Sequence, residues 1–169
     1  MDDVFVERLV ARKMGPKEMG IKALIALPAV VLIFVSGTLG AFLMPLVAAV
    51  ALVGGWYLWV LTNVEYEYSL SNGDLTVDAI YGQRRRKNRL EVNLRERLEL
   101  MAPLSPRYQS ELSRACVRVL DVASAPNADN RWFLLLRGEN GLTRVIFEPD
   151  QRMVDAIRRC APSKVQTEW

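Results

Sequence analysis

The sequence predicts an α+β protein: a transmembrane helical hairpin, then a small antiparallel β domain closed by a C-terminal helix. Three observations predict it. No charged residue occurs between Ala23 and Val64, and that run is interrupted by Ser36-Gly-Thr-Leu-Gly40. From Glu65 onward the apolar period changes to two, the signature of strands with one buried face. Finally, Asp150–Cys160 has helical spacing, with Pro149 suited to its first position and Pro162 to its stop.

The uncharged run has room for two membrane spans, each needing roughly 20 residues, but not for three. The spans read 19–36 and 41–62, within a hairpin of 19–62. Pro28 is expected to loosen the first helix, whereas Pro45 falls near the start of the second. Gly37 and Gly40 suit the reversal, since glycine adopts positive φ without steric cost. Ala48, Ala49, Ala51, Gly54 and Gly55 provide small faces for close helix packing. Trp56, Tyr57 and Trp59 gather at the end of the second span as an interfacial belt, and Lys22 is placed to snorkel at the opposite flank. A signal peptide is the competing reading, but the leader is long and carries Asp2, Asp3, Glu7 and Glu18.

Orientation follows from the basic residues. Arg8, Arg12, Lys13, Lys17 and Lys22 flank the first span, the reversal has none, and Arg84-Arg85-Arg86-Lys87 follows the second. The positive-inside rule then places both termini on the cytoplasmic side. In segment 1–18, Phe5 and Leu9, with Val6 and Val10, form i,i+4 pairs opposite Arg8 and Arg12. This predicts an amphipathic cytoplasmic helix, resting either on the leaflet or on the soluble domain.

Seven strands follow. Tyr66, Tyr68 and Leu70 alternate with polar residues up to Asn72-Gly73, a two-residue hairpin signal, and Leu75, Val77, Ala79 and Tyr81 continue beyond it. Leu90 and Val92, then Leu98 and Leu100, alternate likewise; Cys116–Val122, Arg131–Arg137 and Leu142–Glu148 complete the set. Met153, Val154, Ile157 and Cys160 form the apolar face of the last helix, with 163–169 as a tail.

Strands closed by one C-terminal helix resemble a pleckstrin-homology-like (PH-like) domain, which implies a seven-stranded antiparallel barrel over 65–162. More closely, the chain resembles an uncharacterised family of short two-span proteins of Gram-positive bacteria. The resemblance rests on Phe5-Val-Glu-Arg-Leu-Val10, Tyr66-x-Tyr-x-Leu-x-Asn-Gly73, Leu98-Glu-Leu-Met-Ala-Pro103 and Val145-Ile-Phe-Glu-Pro-Asp150. That family is a domain of unknown function, so the resemblance implies architecture and assigns no catalytic residues. Eukaryotic PH domains hold phosphoinositides near the loop between their first two strands. On the sequence reading that loop is Asn72-Gly73, beside acidic Asp74.

The chemistry-bearing residues favour binding over catalysis. The chain has no histidine, and its two cysteines, Cys116 and Cys160, form neither a disulfide framework nor a zinc site. Both read as small buried hydrophobes. Charge over 65–169 is nearly balanced, so a net +3 does not point to nucleic acid. Carboxylates at Glu65/Glu67, Asp74/Asp78 and Glu139/Glu148 read as a wet strand face, and Trp132 as core or rim. Arg84, Arg85, Arg86 and Lys87 read as a basic turn, either solvated or in contact with anionic headgroups at ~1 kcal/mol each. The polar loops 103–113 and 123–130 are the places where binding varies most freely. The expected function is therefore a non-catalytic interaction or scaffold module at the inner leaflet, with a protein partner or self-association. The alternative is a lipid-surface sensor. A small membrane enzyme or transporter subunit is disfavoured, because neither span carries an ionisable residue that could form a pathway, Lys22 lying at the rim. No cofactor, metal or small-molecule substrate is expected.

Overall fold

The computed structural model describes residues 5–13, 15–39 and 43–168. Asp2, Asp3 and Gly40, invoked above for the leader and the reversal, lie outside the described residues.

The first strand comes before the hairpin. Residues Phe5–Ala11 form β1, which pairs antiparallel with β2 (Val64–Ser71) from Phe5↔Ser71 to Ala11↔Glu65. The helix expected in this segment is therefore a strand. Its residues satisfy both periods, and pairing decides between them. Val6 and Val10 turn onto the core as alternate residues, while Phe5 and Leu9 stay exposed on the other face. A seven-residue helix holds few internal hydrogen bonds, whereas the strand completes a ladder and its valines favour it.

The hairpin consists of α1 (Pro16–Ser36) and α2 (Met44–Leu61), close to the expected 19–36 and 41–62. Both are long and apolar enough to cross a membrane, and almost nothing in them is buried. Leu24, Leu27, Phe34, Leu46 and Val53 are all exposed. Of the small residues, Ala51 is buried and Gly55 approaches Ala29 on the facing helix.

After the hairpin come β2, β3 (Asp74–Tyr81) and β4 (Arg85–Asn93), giving a first sheet in the order β1-β2-β3-β4. Asn72 and Gly73 both take positive φ in the β2–β3 turn, as the two-residue signal requires. Two single turns, α3 (Leu94–Arg97) and α4 (Gln109–Leu112), flank β5 (Leu98–Pro103). With β6 (Arg118–Asp121), β7 (Trp132–Gly138) and β8 (Gly141–Phe147), β5 forms a second sheet ordered β5-β7-β8-β6.

The described residues thus contain eight strands, the expected seven plus β1, in two sheets that do not close into a barrel. Nor are all pairs antiparallel: β6 runs parallel to β8. The strand expected from Cys116 onward starts only at Arg118.

The core lies between the sheets. Tyr68 meets Phe147 edge-on at 5.6 Å, and its hydroxyl donates to the Val122 carbonyl at 2.5 Å. Desolvation by burial holds the Tyr68 phenol well above its ordinary range. Helix α5 (Gln151–Cys160) closes one side with Met153, Val154, Ala156 and Ile157 buried, and is capped by Asp150, which accepts from the Met153 amide at 2.8 Å. Pro149 therefore precedes the cap rather than opening the helix. Strand β7 reads as an unbroken apolar run because both its faces are covered. Trp132, Leu134 and Leu136 face the main core. Phe133 and Leu135 sit beneath Leu104, Tyr108, Leu112 and Cys116. Segment 103–113, expected as a free binding loop, is thus a cover over the second sheet.

Candidate functional site

Because β1 and β2 are paired, the hairpin is an insertion between neighbouring strands, and its two ends leave the sheet side by side. The last ladder bond runs from the Arg12 amide to the Val64 carbonyl at 2.9 Å, and the Lys13 amide then donates to the Ser124 carbonyl at 2.8 Å. Arg12 also pairs with Glu18 at 2.7 Å, tying the strand to the first turn of α1. On the other arm, the Asn63 carbonyl accepts from the Gly82 amide at 2.8 Å. A side chain at Gly82 (φ +56°) would lie 2.9 Å from the Val60 carbonyl, so glycine is needed for this approach.

The sequence-predicted residues converge here, in altered roles. Lys22 does not extend outward. It is only 5% exposed, donates to Asn63 Oδ1 at 3.1 Å, and stands 4.9 Å over the Trp59 ring. One cation thereby locks α1 to the end of α2. Trp56, Tyr57 and Trp59 are exposed around it.

The basic run divides. Arg84 lies in the β3–β4 turn, 6.0 Å from the Tyr57 ring, while Arg85, Arg86 and Lys87 belong to β4 rather than to a turn. Strand alternation sends Arg86 to the opposite face from Arg85 and Lys87. There it pairs with Glu67 at 2.5 Å and Asp78 at 3.6 Å. Glu67 is 8% exposed, so Arg86 compensates a nearly buried carboxylate and is not a free headgroup contact. Arg84, Arg85 and Lys87 remain exposed beside the end of α2.

Two of the paired carboxylates are held by nitrogen donors. Asp74 accepts from Asn93 at 2.7 Å, and Glu148 accepts from the Ser124 amide at 2.6 Å. Cys116 and Cys160 are half-buried, rather than fully buried as expected. Trp132 is core, with its indole N–H donating to Asn130 at 3.1 Å. Among the described residues, no group of three or more His, Cys, Asp or Glu could hold a metal.

A cavity of about 610 Å³ opens at the hairpin base, lined among others by Arg12, Lys13, Glu18, Tyr66, Asp121 and Ser124. The sequence reading missed the parts of Arg12, Asn63 and Gly82 in joining the hairpin arms to the soluble domain. Asn63, a lone amide at the very end of the uncharged run, was the available signal.

The strand before the hairpin also relocates the loop used for phosphoinositides in eukaryotic PH domains. The connection between the first two strands is the hairpin itself, and Asn72-Gly73 joins the second to the third.

Two packed sheets, a C-terminal helix closing one side and an apolar hairpin inserted after the first strand define a PH-like module with an appended helical pair. The chain belongs to the bacterial PH-like domain family DUF6106, whose model matches residues 2–167. That match includes β1 and the hairpin. No curated protein and no solved structure matches the chain.

Proposed function

We propose that this protein is a non-catalytic interaction module held against the inner leaflet of the bacterial plasma membrane. The hairpin spans the bilayer, both termini face the cytoplasm, and the PH-like sheets present a surface to a protein partner or to further copies of the chain. The observation that carries this reading is the insertion of an exposed apolar helix pair between two strands of one sheet. Such a hairpin does more than tether. Both arms are bonded to the sheet at Arg12, Lys13 and Asn63, so the domain is held at a set height and angle. A rigid mount suits a docking surface better than a flexible leash does. The positive-inside count supports the orientation.

In-cell crosslinking of the full-length protein followed by mass spectrometry tests this. Reproducible links to one protein or between copies are expected; lipid adducts alone would refute it. Cysteines introduced at Thr38 and Gln166 test the topology. Labelling of position 166 from outside intact cells would overturn the orientation.

A second reading, a sensor of anionic lipid, is favoured by one observation: Arg84, Arg85 and Lys87 stand exposed at the hairpin base. Hydrogen exchange over 82–87 separates the two. On the sensor reading, protection rises when the full chain is moved from phosphatidylcholine to phosphatidylglycerol nanodiscs, and the rise disappears in an R84Q/R85Q/K87Q variant. Equal exchange in both discs refutes the sensor.

A further inference from the structure

Away from the hairpin base, the edge of the first sheet faces the turn end of the second across a cleft of about 330 Å³. Four arginines line it, Arg89 from β4, Arg97 from α3, Arg118 from β6 and Arg137 from β7, against Glu91 as the single acidic residue of the lining. We infer that this cleft is a binding site for a small soluble anion bearing a phosphate-type group.

The arginines are held in place but left short of countercharge. Arg118 Nη2 donates to the Arg89 carbonyl at 3.0 Å, bridging the two sheets. Arg89 Nη2 donates to the Tyr81 hydroxyl at 3.0 Å, yet its Nε is buried with no partner among the described residues. Arg137 Nη2 faces Glu99 Oε2 at 3.5 Å while Arg114 takes Glu99 Oε1 at 2.6 Å, so one carboxylate answers two guanidinium groups. No hydrogen bond or ion pair among the described residues engages the Arg97 side chain.

Gathering four like charges in one concavity is unfavourable unless something answers them, and a focused positive field concentrates anions. Guanidinium forks match the oxygens of a phosphate two at a time, which gives geometry as well as charge.

Size and position select the class of ligand. A cleft near the lower bound of small-molecule sites accommodates a diphosphate or a small phosphorylated compound, but not a folded partner. A headgroup is disfavoured by distance. Although the Arg89 side chain turns back to Tyr81, the cleft lining follows β4 from Asn88 to Val92, three to seven residues from Arg85, or about 10–23 Å at the strand rise, whereas the polar layer of one leaflet is only about 6 Å deep. Arg97 lies further along the chain still. The site therefore points to the aqueous phase, and it goes beyond the anchoring role proposed above.

The test uses full-length protein in phosphatidylcholine nanodiscs titrated with inorganic pyrophosphate by calorimetry, with thermal unfolding as a second readout. Saturable binding is expected, with a rise in Tm. An R97Q/R137Q variant, altered at two exposed positions, should weaken Kd about tenfold or more, while R85Q/K87Q at the membrane end leaves it unchanged. An R118Q variant checks the effect from the other sheet. No saturable binding, or equal weakening by R85Q/K87Q, overturns the proposal. Loss of pyrophosphate binding in phosphatidylglycerol nanodiscs would assign the cleft to headgroups and overturn the soluble-anion reading. Tighter binding of a short polyglutamate peptide would transfer it to an acidic protein segment, with the same consequence.

Discussion

If the hairpin is an insertion in a sheet, the soluble domain is 5–13 joined to 63–168, and a fragment starting at residue 65 lacks an edge strand. Consider two chains. In one, Met14–Thr62 is replaced by Gly-Asn-Gly; in the other, residues 65–169 are expressed alone. The replacement is geometrically easy, because the Arg12 amide already bonds the Val64 carbonyl and neighbouring strands lie about 5 Å apart. The 65–169 fragment loses the burial of Val10 and the partial burial of Val6 against the core. At about 1.5–3 kcal/mol for a fully buried valine, the two together contribute about 3 kcal/mol. The same cut uncovers the edge of β2, removes the Arg8–Asp150 contact at 3.9 Å and exposes the flank of α5. The expected loss of about 4–6 kcal/mol is comparable to the whole stability of many small domains. Urea unfolding followed by tryptophan fluorescence and circular dichroism measures it. The hairpin-replaced chain should unfold cooperatively, while 65–169 should be largely unfolded or aggregate. Equal midpoints for the two chains would refute the assignment of β1 to this sheet.

Three further outcomes follow from single side chains, measurable in the hairpin-replaced chain and, for Gly82, in the full chain beside it. Arg86→Ala should cost about 1 kcal/mol, because Glu67 loses its partner near burial while the ion pair is itself half-solvated; Arg85→Ala and Lys87→Ala should each change the urea midpoint negligibly. Gly82→Ala combines a left-handed φ with a close approach to Val60, so a loss of about 1–3 kcal/mol is expected in the full chain; without the hairpin, the Val60 component disappears and the loss shrinks. Burial raises the Tyr68 phenol in the folded state, so the folded protein retains a proton that the unfolded chain releases near pH 10. Its contribution is intact below that pH and falls as pH rises above it. Tyr68→Phe should flatten that alkaline decline, and should cost about 1–2 kcal/mol at neutral pH by orphaning the Val122 carbonyl.

What could be read from the sequence was whatever depends on local period and composition. The two apolar helices, the Asn72-Gly73 turn and the strands from β2 to β8 follow from spacing alone, and the cap and buried face of α5 nearly so. What could not be read depends on pairing at long range. Phe5–Ala11 fits a helix and a strand equally well, and its partner lies beyond the entire hairpin. The basic run looked like one unit because four like residues are adjacent. Yet strand alternation and a partner at Glu67 separate Arg86 from its neighbours. The arginine cleft was invisible for a similar reason: Arg89, Arg97, Arg118 and Arg137 are contributed by separate elements and share no motif. Segment 103–113 looked like an open loop because its apolar residues Leu104, Tyr108 and Leu112 are spaced among polar ones. Only the two-faced burial of β7 gives them a surface to cover.

The insertion also limits how copies in one membrane can associate. Strand β1 ends its sheet, and Phe5 and Leu9 are 64% and 57% exposed on it, which invites edge-to-edge pairing. Antiparallel pairing of β1 with β1 of a second copy needs a two-fold axis perpendicular to the sheet. That axis reverses the direction of the strand. β1 is joined to α1 by residues 12–15, so this pairing leaves two hairpins pointing the same way only where that axis runs along them. Two copies whose hairpins point the same way therefore use this edge isologously only where the sheet normal follows the hairpin axis. The edge remains open to an extended segment of a different chain, and a β1 strand substituted with proline at an outward position would discriminate. If crosslinks between copies survive that substitution while links to another protein vanish, the two kinds of association use different surfaces. Loss of both together would mean that copies pair through β1 as well.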